Sequence, residues 1–110
     1  NLNIARRINR ELDGTIPVDR LRHEARWNDT FARIEMHLVA QDDLAFSICG
    51  RDFTMERGET IHTENSHKFD QRSSATLLLG GGWTPVKRWL DDGDRFSLIL
   101  AEATVPRNAP

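Results

Sequence analysis

The sequence predicts an α+β fold, and three patterns lead to that prediction. Residues 1–14 place apolar side chains at helical spacing, and residues 31–40 alternate between apolar and polar side chains as a strand does. Near the C-terminus, two extended runs flank a polar turn. The predicted order is helices first, then a small antiparallel sheet, then a further helix and a closing β-hairpin.

The first helix is predicted over "LNIARRINRELDG", where Leu2, Ile8 and Leu12 lie on or near one face and the arginines lie opposite. Asn1 is expected to cap the start of this helix, and Gly14 is expected to end it. A second, short helix is expected in "TIPVDRLRHEARWND", with its proline at the entry. The buried side of this second helix would consist of Leu21, Ala25 and Trp27.

Three strands are expected after the second helix. The stretch "FARIEMHLVA" alternates with a period of two, which is typical of a strand with one buried face. The stretches "LAFSICG" and "DFTMERG" predict two shorter strands joined at Gly50. The apolar face of the first strand would consist of Ala32, Ile34, Met36, Leu38 and Ala40.

The C-terminal third predicts a helix followed by a hairpin. Asp70 suits the N-cap of the helix, and the leucines at 77–79 would form its apolar end. The run "TPVKRWLDDGDRFSLILA" predicts two strands that turn at "DDGD", and "FSLILA" suits a buried strand. Residues 105–110 are expected to form a loose tail.

Composition excludes several classes of protein. A length of 110 residues suits one domain or a piece of a larger protein, and a net charge of -2 argues against a nucleic-acid partner. No apolar run reaches membrane-spanning length, so no membrane partner is predicted. The single cysteine excludes an internal disulfide, and together with the absence of a secretory signal it predicts a cytoplasmic location. Because the chain begins without methionine in a predicted helix, we expect further sequence upstream.

Two motifs that are typical of known sites have simpler explanations here. The glycines of "LGGGW" follow a helix and precede a strand, whereas a phosphate-binding glycine loop follows a strand and opens a helix. Helix termination therefore explains them better. The "HTE" motif lacks the cysteine pair that zinc deaminases require. The histidines are too scattered to form a metal site by spacing alone, so no metal is predicted; they are His23, His37, His62 and His67.

The polar stretch "GETIHTENSHKF" has no ordinary core face. On a regular strand, His62, Glu64, Ser66 and Lys68 would share one face, while Thr63, Asn65 and His67 would share the other. The simplest explanation is an edge strand with polar residues in water. The alternative is a cleft in which Glu64 and Ser66, about 6–7 Å apart along the chain, hold the two edge nitrogens of an imidazole ring.

These segments closely resemble the histidine-specific, S-adenosylmethionine-dependent methyltransferases, which trimethylate the α-amino group of histidine on the route to ergothioneine. The resemblance spans nearly the whole chain, and the pairing of "RIEMHL" with the later polar stretch is its most specific part. The matching segments, in order, are "NLNIARRINREL", "HEARWNDTFARIEMHL", "GETIHTENSHKF", "GGW", "RWLDD" and "FSLILA".

The resemblance implies that the chain is the C-terminal part of such an enzyme. Residues 1–69 would be the substrate-recognition part, and residues 70–104 would be the closing helix and β-hairpin of a Rossmann-like methyltransferase sheet. S-adenosylmethionine would be bound by an N-terminal part outside this chain. Histidine would be the small-molecule substrate.

The resemblance also implies roles for individual residues. Glu64 and Ser66 would hold the imidazole ring of histidine, and Met36 would lie near the ring, although a plain core methionine explains Met36 equally well. Asn65 stands where relatives often carry an apolar or aromatic residue, but it points away from Glu64, so we expect no change of substrate. The family binds the amino and carboxylate groups through tyrosines and an asparagine, and this chain has no tyrosine.

Two expectations follow for the 110-residue chain itself. It should have no methyltransferase activity alone, and the unpaired edges of its closing hairpin should favour self-association. Two other functional classes remain open at this point. One is a methyltransferase that acts on another amino acid or amine with the same scaffold, and the other is a non-enzymatic module that shares only the fold.

Overall fold

The computed structural model describes residues 1–104, and within them the chain forms two α-helices and seven β-strands. The predicted α+β class is confirmed, while the predicted loose tail at 105–110 lies outside the described residues. The elements are α1 (Leu2–Glu11), a short 3-10 helix (Val18–Arg20), β1 (Leu21–Asn28), β2 (Arg33–Ala40), β3 (Leu44–Ile48), β4 (Arg51–Met55), β5 (Thr60–His67), α2 (Gln71–Gly80), β6 (Trp83–Leu90) and β7 (Ser97–Ala103).

The chain divides into two compact units, Asn1–Lys68 and Phe69–Pro110. The first unit contains a three-stranded antiparallel sheet in the order β1-β2-β5 and the separate β3-β4 hairpin. The second unit contains α2 and the two-stranded β6-β7 sheet. Neither described helix is long and apolar enough to cross a membrane.

The hydrophobic core of the first unit lies under α1. Ala5, which is 1% exposed, brings the helix backbone close to the sheet, and Leu2 and Ile8 pack beside it. The third residue of the predicted apolar face, Leu12, lies after the end of α1 at Glu11 and is 46% exposed. The buried core residues are Ala5, Ile16, Leu21, Leu38, Ala40, Leu44, Phe46 and Met55.

The residues after α1 form a tight connection. Asn9 holds Ile16 through two hydrogen bonds, because its Nδ2 donates to the Ile16 carbonyl (2.9 Å) and its Oδ1 accepts from the Ile16 N–H (2.8 Å). Gly14 lies against this pair, where a Cβ would come within 2.7 Å of Asn9 Oδ1. The prediction that Gly14 ends the helix is wrong, because α1 ends at Glu11 with Leu12 as its C-cap and the left-handed residue is Asp13. Close approach of Asn9 explains the need for a glycine at position 14 instead.

The predicted second helix is wrong. Residues 18–20 form one 3-10 turn, and Leu21–Asn28 then form β1, paired along its whole length with β2. Of the three residues expected to be buried, only Leu21 is buried, while Ala25 is exposed and Trp27 is 56% exposed. The spacing of Leu21 and Ala25 fits both a helix and a strand, and pairing with β2 decides between them.

The predicted strands and hairpins of the rest of the chain are confirmed. Strand β2 buries Leu38 and Ala40 of the predicted apolar face, but Ile34 and Met36 are only half-buried and Ala32 precedes the strand and is exposed. Val39, on the opposite face, is buried as well. Strands β3 and β4 pair antiparallel around Gly50. Asp70 caps α2 through a capping box, since its side chain accepts from the Ser73 N–H while the Ser73 hydroxyl accepts from the Asp70 N–H. Strands β6 and β7 form a C-terminal hairpin.

The Asp70 cap makes the stability of the second unit depend on pH. The hydrogen bond from the Ser73 backbone N–H lowers the pKa of Asp70 below its ordinary value of 3.8. The stabilisation is therefore complete above that value and is lost as the pH falls through the lowered pKa. Asp70→Asn keeps an N-cap side chain but cannot titrate.

We expect the melting temperature of the wild type to exceed that of Asp70→Asn at pH 6, and the difference to shrink as the pH falls from 6 through the lowered pKa of Asp70. Circular dichroism melts of both proteins across this range measure it. A difference that stays constant with pH would contradict the role given to the ionised carboxylate.

Candidate functional site

A β-bulge in β5 fixes the geometry of the polar stretch. Met36 pairs with Glu64, but the next residue of β2, His37, pairs with His62, so Thr63 is an extra residue without a partner. Directly paired residues on antiparallel strands project to the same face of the sheet, and successive residues of β2 project to opposite faces. His62 and Glu64 therefore lie on opposite faces.

The bulge corrects one sequence prediction and supports another. The predicted grouping of His62 with Glu64 is wrong, because a bulge shifts the alternation by one residue. Glu64 and Ser66, which follow the bulge, remain on one face, and Met36 lies there too as the direct partner of Glu64. The same side of the sheet packs against α1 further along β2, at Leu38 and Ala40. We call its other end the Glu64 face; it carries Ala25, Trp27, Ile34, Met36, Glu64 and Ser66.

The Glu64 face is open and mixes apolar and polar side chains. Glu64 is exposed, while Met36 and Ser66 are half-buried. The Ser66 hydroxyl accepts a hydrogen bond from Lys68 Nζ at 2.8 Å, which leaves its own proton free to donate. Trp27 adds an exposed aromatic side chain to the same face. This combination can hold a small ring with polar edges through one carboxylate, one hydroxyl and flanking apolar surface.

The side chain of Asn1 ties the start of α1 to the bulge. Asn1 occupies the N-cap position, as predicted, but its side chain does not cap the helix. Its Nδ2 instead lies 2.9 Å from His23 Nδ1 and donates to the His37 carbonyl at 3.2 Å. The Thr63 hydroxyl lies 2.6 Å from Asn1 Oδ1 and 3.0 Å from the Met36 carbonyl oxygen. Sequence periodicity carries no signal for these contacts, since they join residues far apart in the chain.

The opposite side of the sheet carries a polar network around Glu35 and His37, and we call it the His37 face. Glu35 Oε2 accepts from Arg33 Nη2 (2.8 Å) and from Asn28 Nδ2 (2.9 Å). The hydrogen bonds from Arg33, Asn28 and His37, in that order of effect, lower the pKa of Glu35 to about 2. Asn65 lies on this face, where its Oδ1 is 2.6 Å from His62 Nε2, so it points away from Glu64 as expected.

An apolar cavity of about 270 Å³ lies between α1 and the sheet of the first unit. Ile4, Ile8 and Leu38 contribute to its walls, and His62 and Thr63 of β5 line it as well. Glu64, Ser66 and Met36 do not line this cavity. The Glu64 face is thus an open surface separate from this cavity.

Comparison with known proteins identifies the family. A sequence profile described as histidine-specific methyltransferase, SAM-dependent, matches residues 1–103. The chain is 36% identical over 103 residues to the histidine N-alpha-methyltransferase of Mycobacterium tuberculosis (strain CDC 1551 / Oshkosh), covering 92% of this chain and 32% of that protein. It is 32% identical over 103 residues to the protein of the same name from Mycolicibacterium smegmatis (strain ATCC 700084 / mc(2)155), with the same coverage.

The chain therefore belongs to the histidine-specific, SAM-dependent methyltransferase family, as its sequence motifs predicted. It spans about a third of the length of the two curated relatives, since the alignments cover 32% of each. The match to the profile runs through both compact units, from α1 to the end of β7.

The bulge depends on the Thr63 hydroxyl, and Thr63→Val tests this. Valine keeps the branched shape but removes the donor that serves Met36 and Asn1, so we expect a loss of about 0.5–1.5 kcal/mol in the free energy of unfolding. Urea unfolding measures the loss. Thr54→Val, at an exposed position of β4, is the matched control and should change stability little. Equal effects of the two substitutions would contradict a specific role for Thr63.

Proposed function

We propose that this chain is the C-terminal segment of a SAM-dependent methyltransferase that trimethylates the α-amino group of histidine, and that its Glu64 face holds the imidazole ring. The observation that carries the proposal is the grouping of Glu64, Ser66 and Met36 on one open face after the bulge. Membership of a histidine-specific methyltransferase family supports histidine as the substrate class.

The chemistry of the two polar groups fits an imidazole. An ionised carboxylate only accepts hydrogen bonds, so Glu64 would accept from one ring N–H. A hydroxyl both donates and accepts, so Ser66 would donate to the unprotonated ring nitrogen while still accepting from Lys68. Side chains two apart on a strand are about 6–7 Å apart, which leaves room for the ring between them. Met36 would pack against the face of the ring.

Selectivity would arise from the cost of leaving these groups unpaired. An amino acid with an apolar ring would bury a carboxylate without a partner, which costs about 1–3 kcal/mol or more. A site built to hydrogen-bond a substrate rejects analogues that lack the partner groups more strongly than an apolar pocket rejects a slightly different shape. Glu64 would therefore select histidine over phenylalanine.

The described residues do not fit S-adenosylmethionine. A binding loop for its nucleoside would follow a strand and open a helix, whereas the glycines at 80–82 end α2 and precede β6. We assign binding of this cofactor, which supplies the methyl group, to an N-terminal part of the protein outside this chain. The first unit would then recognise the ring, and the second unit would complete the cofactor domain's sheet.

The state of the second unit agrees with that assignment. Within residues 69–104 no side chain is fully buried, and the hairpin exposes large apolar side chains. Leu98 is 61% exposed and Leu100 is 53% exposed. Both lie on β7, which is predicted to lie inside a larger sheet. A two-stranded sheet is marginally stable alone, so further strands would stabilise it.

The direct test is calorimetry of histidine binding to the complete protein. Glu64→Gln keeps the size of the side chain but removes the charge, and we expect affinity to fall by about ten- to a hundredfold, the equivalent of 1–3 kcal/mol. Asn65→Ala, on the opposite face, is the matched control and should bind histidine as the wild type does. Unchanged affinity in Glu64→Gln would contradict the proposal. Tighter binding of another amino acid or amine in a panel would favour that substrate instead.

The 110-residue chain alone is expected to be inactive, because residues 1–104, which the structure describes, contain no site that fits the cofactor. Incubation with labelled S-adenosylmethionine and histidine should give no methylated product above the protein-free background. Turnover that depends on the cofactor would contradict this expectation.

Self-association of the 110-residue chain is expected through the open edge of β7. Light scattering over a range of concentrations should give a mass above the 12.6 kDa of one chain. Leu98→Lys places a charge on this strand and should shift the equilibrium towards the monomer, since charges on edge strands oppose pairing. Leu77→Lys, at an equally exposed position on α2, is the control. A monomer at high concentration would contradict the expectation.

A further inference from the structure

The sheet register brings together two histidines that are far apart in the sequence. His37 and His62 are paired across β2 and β5, and their rings stack with centroids 4.6 Å apart at 17°. Glu35 lies on the same face beside His37. Within residues 1–104 these form the one group of three histidine, cysteine or acidic side chains whose ligand atoms all lie within 4.8 Å of one another.

We propose that Glu35, His37 and His62 form a binding site for a divalent transition-metal ion of the Zn²⁺ type, on the face opposite Glu64. His37 Nε2 lies 3.1 Å from Glu35 Oε1, close to the separation of about 3.3 Å between two ligand atoms that each bind zinc at about 2.0–2.1 Å in a tetrahedron. His62 is exposed and can close the remaining distance by rotating its side chain. The proposal is independent of the function proposed for the Glu64 face.

The carboxylate of Glu35 is already oriented for this role. Arg33 and Asn28 both donate to its Oε2, which leaves Oε1 directed at His37. Ligating carboxylates in proteins are typically held by such outer hydrogen bonds. The side chains of Glu35 and His37 are only 14% and 8% exposed, so two of the three ligands have fixed positions.

Each imidazole also has an outer partner that can set its tautomer. His37 Nδ1 lies 3.2 Å from the Thr60 hydroxyl, which can accept a hydrogen bond from Nδ1–H and so leave the Nε2 lone pair for an ion. His62 Nε2 lies 2.6 Å from Asn65 Oδ1, an acceptor that keeps the proton on Nε2 and leaves the Nδ1 lone pair free. Neutral imidazoles with a held second nitrogen are the usual form of histidine ligands.

The donor set selects the class of ion. Two imidazoles and one carboxylate suit Zn²⁺, Co²⁺ and Ni²⁺, whereas Mg²⁺ and Ca²⁺ require oxygen ligands. Three protein ligands leave a fourth position for water, which the exposure of His62 makes accessible. A bound ion would connect β2 to β5 directly beside the bulge and would restrain the strand that carries Glu64 and Ser66.

The simpler alternative is a hydrogen-bond network without metal, in which His37 Nε2–H donates to Glu35 Oε1. Titration of the 110-residue chain with Co²⁺ and Zn²⁺ separates the two. We expect one ion per chain, d–d absorption bands for the Co²⁺ form that Zn²⁺ removes, and no competition from Mg²⁺. Absence of saturable binding would overturn the proposal.

Substitutions of single residues test which side chains bind the ion. Thr60→Val removes an outer partner and should weaken Co²⁺ binding by about 10–100-fold, and His62→Ala removes a ligand and should weaken it by more. Because His62 is exposed, we expect His62→Ala to fold. A melting temperature equal to that of the wild type, measured without metal, would show this. His67→Ala, an exposed histidine on the same strand outside the group, is the control and should bind as the wild type does. Wild-type affinity in His62→Ala would overturn the proposal.

Discussion

One extra residue in β5 determines which side of the sheet each functional side chain of that strand faces. Before Thr63, the strand directs His62 to the face of His37; after it, the strand directs Glu64 and Ser66 to the face of Met36. A strand without the bulge would keep His62 and Glu64 together. The contacts of the Thr63 hydroxyl with Met36 and Asn1 hold this irregularity in place, and they connect it to the start of α1.

The same register places two different sets of polar side chains on opposite faces of one sheet. The Glu64 face is open, and its carboxylate and hydroxyl suit recognition of a small ring. The His37 face is largely covered around Glu35 and His37, and its hydrogen bonds fix the positions of those side chains. Because both sets of residues lie on β2 and β5, restraint of the strands from one face also positions the groups on the other.

Much of the fold could be predicted from the sequence, because local patterns determine it. The alternation in β2, the turn at Gly50 and the cap at Asp70 each have a short-range physical cause. Strand β1 could not be predicted in the same way, since four of its residues, Arg22, Glu24, Ala25 and Arg26, favour a helix and its pairing with β2 makes it extended. For the candidate site, the shared face of Glu64 and Ser66 followed from their spacing, but the position of His62 did not, because no period in a single sequence indicates a bulge.

The central claim is that the imidazole of histidine lies against Met36 on the Glu64 face, and nuclear Overhauser effects test it most directly. In the complete protein labelled with ¹³C at the methionine methyl groups, the ring protons of bound histidine should show nuclear Overhauser effects to the methyl group of Met36. The Met36 methyl signal is assigned by its disappearance in Met36→Leu. Met55, which is buried in the core, should give none. Bound histidine whose ring protons contact His62 or Asn65, and not Met36, would contradict the account.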